Sequence, residues 1–432
     1  MALSERLLLA GMLNAHRNVP TKSFRGVPWL AVVLFGSALF KLLLLRVDRA
    51  FEAHTMALEW LASGQFRYHY FGSWDPTFQF PVYTAVVAAI YAVGLDPWAV
   101  QVFQVACGTV TAWIIHRTAL SLLDGRGYAQ LVALGSALVT ALSPFLAYYQ
   151  VRMIHPFAWD TLLATGLLHL AVRATPERNG SVLALFTLGG LALLNRPTLG
   201  VFMLPFLIAH FRFMVNGRSL PLKCGLVVLL FGPLSLWLVR NEQVSGRYQL
   251  TSVTDQMIWM GLQEETEGSG HMADGRSYAH LLSEPEQFGL FEMDPAERSA
   301  FFRSKWHAEL DASPGLWWRM FLTKLKNFWL FRSHLGLDHG STTSNLAMSL
   351  YKVVASTTLL LIAVGVMYRD RAIAGPLLAV LALSLVQCSF YFETRHRLLA
   401  EPVLMMVALA AAFNIRERWK DRRARRAGEH GK

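Results

Sequence analysis

The chain has 432 residues, of which 54% are hydrophobic and 16% charged, and a net charge of +11. A soluble domain usually carries about 25% charge. With apolar runs recurring from end to end, this excludes a soluble enzyme, a disulfide-stapled secreted domain and a disordered scaffold. The excess of 40 Lys and Arg over 29 Asp and Glu fits the basic cytoplasmic loops of a polytopic membrane protein, so no nucleic-acid partner is implied.

In chain order, a basic leader (Arg6, Arg17, Lys22, Arg25) precedes a run long enough to span and without a cleavage pattern, so it reads as an uncleaved first span. Spans are expected at 27–46, 98–117, 128–147, 157–173, 181–195, 198–214, 223–239, 346–367, 373–390 and 398–414. The run 80–95 is short, and charge decides it. If it stays on the outer face, ten spans put both termini in the cytoplasm, with Arg117, Arg126, RATPER, YRDR and the basic tail on the positive side. The expected architecture is therefore an all-α polytopic membrane protein of about ten transmembrane helices. It divides into a module over 1–239 with a first outer loop at 47–97, an outer segment at 240–345, C-terminal helices at 346–414 and a basic tail at 415–432.

In the first outer loop, Phe51, Thr55, Leu58 and Ala62 share a stripe, so 49–63 reads as an amphipathic helix with Asp48 as N-cap and Gly64 as its stop. The stretch 262–292 is acidic and Gly-rich without periodicity. Asp294-Pro-Ala-Glu297 is a capping box, and Ser313-Pro314 opens a Trp-rich helix suited to the membrane interface. Asn179-Gly-Ser181 fits a glycosylation sequon but falls on the cytoplasmic side. Cys107, Cys224 and Cys388 lie singly in apolar runs and read as core residues.

Charges at span ends are costly and call for a functional reading. The outward-facing ones are Asp48, Glu52, Arg152, His155, Asp160, Arg196, Arg240, Lys324, Lys326, Glu393, Arg395, His396 and Arg397. A few carboxylates and several cations at one face suit a phosphate at headgroup depth. Arg grips phosphate bidentately, Lys adds a point charge, and a carboxylate takes a proton from an attacking hydroxyl. Each residue also has an ordinary reading: Asp48 as a cap, Glu52 and Asp160 as first-turn carboxylates, His155 as an interfacial histidine, the cations as headgroup anchors. No carboxylate lies near the middle of a span, which disfavours an ion-coupled transporter.

The order of these motifs resembles the GT-C glycosyltransferases that use polyprenyl-phosphate sugars, the protein O-mannosyltransferase and aminoarabinose transferase group. The resemblance rests on Asp48 followed by Leu61-Ala-Ser-Gly64, Phe80-Pro-Val-Tyr83 through Gly94, Ser143-Pro144, Asn195-Arg196-Pro197, Arg240-Asn241, Lys324 through Trp329, and Arg395-His-Arg-Leu398. It implies an inverting transfer on the outer face of a plasma membrane, from a polyprenyl-phosphate-linked sugar to a hydroxyl of a lipid, glycan or protein. A phosphate leaving group needs one general base only. By motif match that base is Asp48, with His155 also catalytic, and the substrate is held by Glu52, Tyr83, Arg152, Arg196, Arg240, Lys324, Arg395 and Arg397. Two positions depart from the pattern. His155 stands where relatives usually carry a carboxylate, and Arg49 where an acidic residue often follows the first Asp. No cofactor is demanded, and His155 leaves a divalent metal open. A transporter of lipid-linked saccharide, or a relative that binds polyprenyl phosphate without catalysis, are the alternatives.

Overall fold

The computed structural model describes residues 27–174, 179–202, 204–205, 219–272, 274–330, 342–367 and 371–429. The basic leader, most of RATPER, the second half of the 198–214 run and the YRDR loop lie outside the described residues.

The N-terminal part comprises α1 (Val27–Leu43), β1 (Arg49–Ala50), α2 (Glu52–Ser63), β2 (Tyr68–Tyr70), β3 (Ser73–Asp75), α3 (Pro81–Ala92), α4 (Pro97–Leu122), α5 (Ala129–Leu142), α6 (Pro144–Val151), β4 (Met153–Ile154), α7 (Phe157–Arg173) and α8 (Asn179–Asn195). The rest comprises α9 (Leu220–Ser245), α10 (Thr254–Met260), α11 (Glu284–Glu292), α12 (Pro295–Ala312), α13 (Leu316–Trp329), α14 (Thr342–Met367), α15 (Arg371–Ser389), α16 (Thr394–Leu398) and α17 (Glu401–Glu429).

Three described helices are long and apolar enough to cross a membrane alone, namely Pro97–Leu122, Leu220–Ser245 and Ser349–Met367. The expected span 128–147 is a broken pair, α5 and α6, bent by 50°. Pro144 explains the break: its ring disfavours helical backbone at the preceding residue, and Ser143 is extended with ψ 115°. The shorter apolar helices Pro28–Leu43, Asn179–Asn195 and Ile373–Ser389 match other expected runs. Helix length by itself thus supports an all-α membrane protein, not the count of ten.

The apolar faces of α1, α9 and α14 stay uncovered, with Phe35, Val228, Leu236 and Val353 among the exposed side chains. Such rows suit contact with lipid. Inside, α4 packs on α5 and α7, α8 on α9, and α17 on α5, α14 and α15. Gly190 sets the α8–α9 approach, because a Cβ there would lie 2.0 Å from the Leu229 carbonyl oxygen. Cys107 and Cys388 are buried as expected; Cys224 is exposed on the uncovered face of α9.

The first outer loop differs locally from expectation. Asp48 does not cap a helix. The chain runs extended through β1, Phe51 takes the N-cap position, and the helix starts at Glu52. Its end is as expected: Gly64, at φ +74°, closes it in the left-handed conformation. The reason for the extended entry is tertiary. β1 pairs in parallel with β4, Arg49 against Met153 and Ala50 against Ile154. That ladder ties the loop after α1 to the loop after α6. Helix α3 (81–92) forms within the short apolar run 80–95. Asp294 caps α12 through a capping box, and Ser283 does the same for α11 inside the stretch that shows no periodicity. The helix expected to open at Ser313-Pro314 starts instead at Leu316, and Ser313 closes α12.

Candidate functional site

The β1–β4 ladder and the residues just after it build one wall. Phe51 follows β1 and His155 follows β4, and their rings meet edge to face at 5.1 Å. His155 stacks on Phe157 at 4.1 Å, and Phe157 meets Tyr149 of α6 at 5.3 Å. This aromatic row runs from the start of α2 to the end of α6.

His155 is 8% exposed and its Nδ1 has no hydrogen-bond partner. Burial, then the charges of Arg395, Arg196 and His396, push its pKa well below the usual histidine range. His396 is driven down by the same burial and by Arg196 and Arg395. Both rings are therefore neutral at physiological pH. His396 Nδ1 accepts the backbone N–H of Glu393 at 3.1 Å.

Two arginines face this wall. Arg196, in the turn after α8, lies 3.2 Å from Asp160 Oδ2, and Asn195 Nδ2 donates to Asp160 Oδ1 at 2.6 Å. Asp160 is fully buried. Arg395, in α16, pairs with Glu393 Oε2 at 2.5 Å. Burial works against its charge, but Glu393, Tyr391 and Glu52 hold it protonated. Tyr391 donates to the other oxygen of Glu393.

Asp48 sits at the edge of the same wall. Its backbone N–H donates to the Arg152 carbonyl at 3.0 Å. Arg152 Nη2 reaches Asp48 Oδ2 at 2.6 Å, and Arg46 Nε reaches Oδ1 at 3.2 Å. Asp48 and Arg152, 104 residues apart, thus form one unit across the loops after α1 and α6. Glu52 makes no hydrogen bond or ion pair among the described residues.

The remaining sequence-selected residues have structural partners. Tyr83 is 2% exposed and donates to Gln104 Oε1 at 3.0 Å. Arg240 donates to the Pro76 and Phe66 carbonyls and lies over Trp237 at 4.9 Å, fastening the β2–β3 region to α9. Lys324 is 1% exposed. Its Nζ donates to the carbonyls of Gly261, at 2.8 Å, and Phe390, and burial pushes its pKa down to about 8. Arg397 pairs with Glu401 at 2.8 Å and donates to the Phe328 and Trp329 carbonyls. Sequence reading passed over Asn195, Tyr391 and Glu401 as partners. Only Glu401 left a local signal, four residues after Arg397 on a helix.

The donor set is a poor fit for a divalent metal. Among the described residues no three His, Cys, Asp or Glu side chains come together as a metal site. Arg196 and Arg395 also place positive charge beside His155.

Buried histidines, two arginines and carboxylates lie together among apolar helices, and those helices define the class, a membrane protein. Residues 76–238 match the family model described as dolichyl-phosphate-mannose-protein mannosyltransferase, which is of GT-C type. No curated protein and no solved structure matches the chain. The matched stretch carries Tyr83, Arg152, His155, Asp160 and Arg196; Asp48, Glu52, Arg240, Lys324, Arg395 and Arg397 lie outside it. The match supports a membrane glycosyltransferase with a lipid-linked sugar donor.

Proposed function

We propose that the protein transfers a sugar from a polyprenyl-phosphate donor to an acceptor hydroxyl on the outer face of a plasma membrane, with both termini cytoplasmic. The observation that carries this reading is that two partly buried arginines, Arg196 and Arg395, both act electrostatically on buried His155. Two partly buried cations suit the phosphate of a lipid donor. The aromatic row beside them gives a surface for a sugar ring or the first isoprene units.

In the reaction, the acceptor oxygen bonds to the anomeric carbon while the bond from that carbon to the phosphate oxygen breaks. Polyprenyl phosphate leaves as an anion against Arg196 and Arg395. A carboxylate of the first outer loop takes the acceptor proton; by motif match this is Asp48. His155, neutral, can donate or accept one hydrogen bond without adding charge.

The test offers the purified protein a panel of radiolabelled polyprenyl-phosphate sugars with a crude membrane acceptor fraction. Loss of label from one donor, dependent on Arg395, supports transfer. Donor binding without loss of label refutes it and points to a transporter or a non-catalytic binder.

A further inference from the structure

Residues 150–154 run from the end of α6 through β4, and each of their carbonyls accepts a hydrogen bond from another segment. The loop after α1 supplies two donors. The Asp48 N–H donates to the Arg152 carbonyl at 3.0 Å, and the Phe51 N–H to that of Ile154 at 3.3 Å. Two side chains of α4 supply the rest. Gln104 Nε2 donates to the carbonyls of Gln150 at 2.7 Å and Met153 at 2.9 Å, and Gln101 Nε2 to that of Val151 at 2.7 Å. The two glutamines stand where a third strand would pair with β4. They lie one turn apart near the Pro97 end of α4 and are fully buried. The Gln104 amide is used completely: both N–H groups are donated, and its oxygen accepts the Tyr83 hydroxyl at 3.0 Å. Gly108, one turn further on the same stripe of α4, leaves room for the Gln150 side chain, since a Cβ there would lie 2.5 Å from Gln150 Oε1 and 2.7 Å from Lys41 Nζ.

We propose that Gln101 and Gln104 are positioning residues that hold Arg152 against Asp48, with Tyr83 orienting the Gln104 amide. The inference rests on the transferase reading and deepens it, because Asp48 is there the group that takes the acceptor proton. Arg152 lies between the Val151 and Met153 carbonyls that the glutamines hold, and its Nη2 reaches Asp48 Oδ2 at 2.6 Å. Gln150, Val151 and Met153 are buried, so water cannot replace a lost amide. A buried carbonyl without a donor is costly among apolar helices, and the segment would have to shift to find one. That shift would carry Arg152 away from Asp48. The two arginines proposed to meet the donor phosphate stand elsewhere, Arg196 after α8 and Arg395 in α16. The glutamines therefore set the geometry of proton transfer and not the affinity for the donor. Tyr83, whose hydroxyl is committed to Gln104, acts through that amide and not on the substrate.

The test uses the full chain with Cys224→Ser, so that the remaining cysteines are buried. It compares wild type, Gln101→Met and Gln104→Met, in which methionine keeps the length and removes the amide. Thr111→Val is the control, a buried α4 residue whose hydroxyl donates to the Cys107 carbonyl of its own helix. The first readout needs no substrate. Met153→Cys, 7% exposed, is probed with a small thiol reagent. Gln104→Met should raise its labelling rate on the order of tenfold, and Thr111→Val should leave it within about threefold. The second readout is consumption of whichever labelled donor the wild type uses. Gln104→Met should lower kcat by about 10–100-fold, the scale of a small misplacement, and leave donor KM within about threefold. Gln101→Met, which loses one hydrogen bond instead of two, should fall less. On an Arg152→Ala background, Gln104→Met should add less than about threefold, because the residue it positions is gone. If Gln104→Met gives no folded elution peak, Gln101→Met carries the same comparisons. Full additivity with Arg152→Ala, kcat within about threefold of wild type, or unchanged labelling of Met153→Cys overturns the inference while the transferase reading stands. A wild type that binds donor without consuming it removes that reading and the positioning role with it, and the labelling then still decides whether the glutamines hold β4.

Discussion

Arg196 has a structural partner in Asp160 and a proposed ligand in the donor phosphate, and the two roles can be separated. Arg196→Gln leaves the Asp160 carboxylate buried with only Asn195 beside it. Removing one partner of a buried ion pair costs about 3–5 kcal/mol. Arg196 keeps 23% of its side chain exposed while Asp160 keeps 1%, so water reaches one partner and the lower end, about 3 kcal/mol, is expected. Asp160→Asn leaves a half-exposed guanidinium that water can solvate, at a cost of about 1–2 kcal/mol. The double variant should cost less than the two singles added together, by a coupling of about 2 kcal/mol. The assay is thermal unfolding in detergent followed by a thiol-reactive dye. Cys107 and Cys388 are buried and report unfolding; exposed Cys224 is first changed to Ser. Midpoints are compared at one scan rate, since membrane proteins unfold irreversibly. Donor binding is then measured on the same variants. Arg196→Gln should lose it and Asp160→Asn should keep it. If the single variants shift the midpoint equally and their effects add, the pair is not a coupled buried unit. If Asp160→Asn also abolishes binding, Arg196 does not meet the donor as an independent cation.

Three further predictions follow from the same geometry. His155 and His396 stay neutral in the fold but take protons near pH 6.5 when unfolded. The unfolded state then binds more protons, so stability falls as pH drops through 6.5, by about 2–3 kcal/mol per unit below about pH 5.5. Unfolding midpoints between pH 7 and pH 5 check this, and a flat profile would refute it. Gly261→Ala places a Cβ 1.8 Å from the Phe390 carbonyl oxygen and 3.1 Å from Lys324 Nζ. It should lower the midpoint far more than Gly225→Ala, where nothing lies within 4 Å. Equal effects would show that Lys324 does not fasten α10 to the loop after α15. Finally, Leu95→Cys on the Cys224→Ser background should react with an impermeant thiol reagent only from outside intact cells. Leu95 is 53% exposed just after α3. Labelling from the cytoplasm would invert every later loop.

What the sequence determined by itself is what depends on composition and short spacing. The membrane class follows from 54% hydrophobic residues. The short helix opened by Pro81, Gly64 as a stop and the Asp294 capping box are local, and they appear in the structure. The pool of charged residues was also legible, because a charge beside an apolar run is conspicuous. What the sequence did not determine is which of those charges were already committed. Arg240, Lys324 and Arg397 look identical to Arg395 in one dimension. In three, carbonyls 63 to 174 residues away accept hydrogen bonds from the first three. Asp48 resembles a cap until β4 draws the next two residues into a strand and Arg152 closes on it. A hydrogen bond or ion pair between distant segments exists only once packing brings them together, so which of these charges distant carbonyls hold was decided by tertiary structure alone.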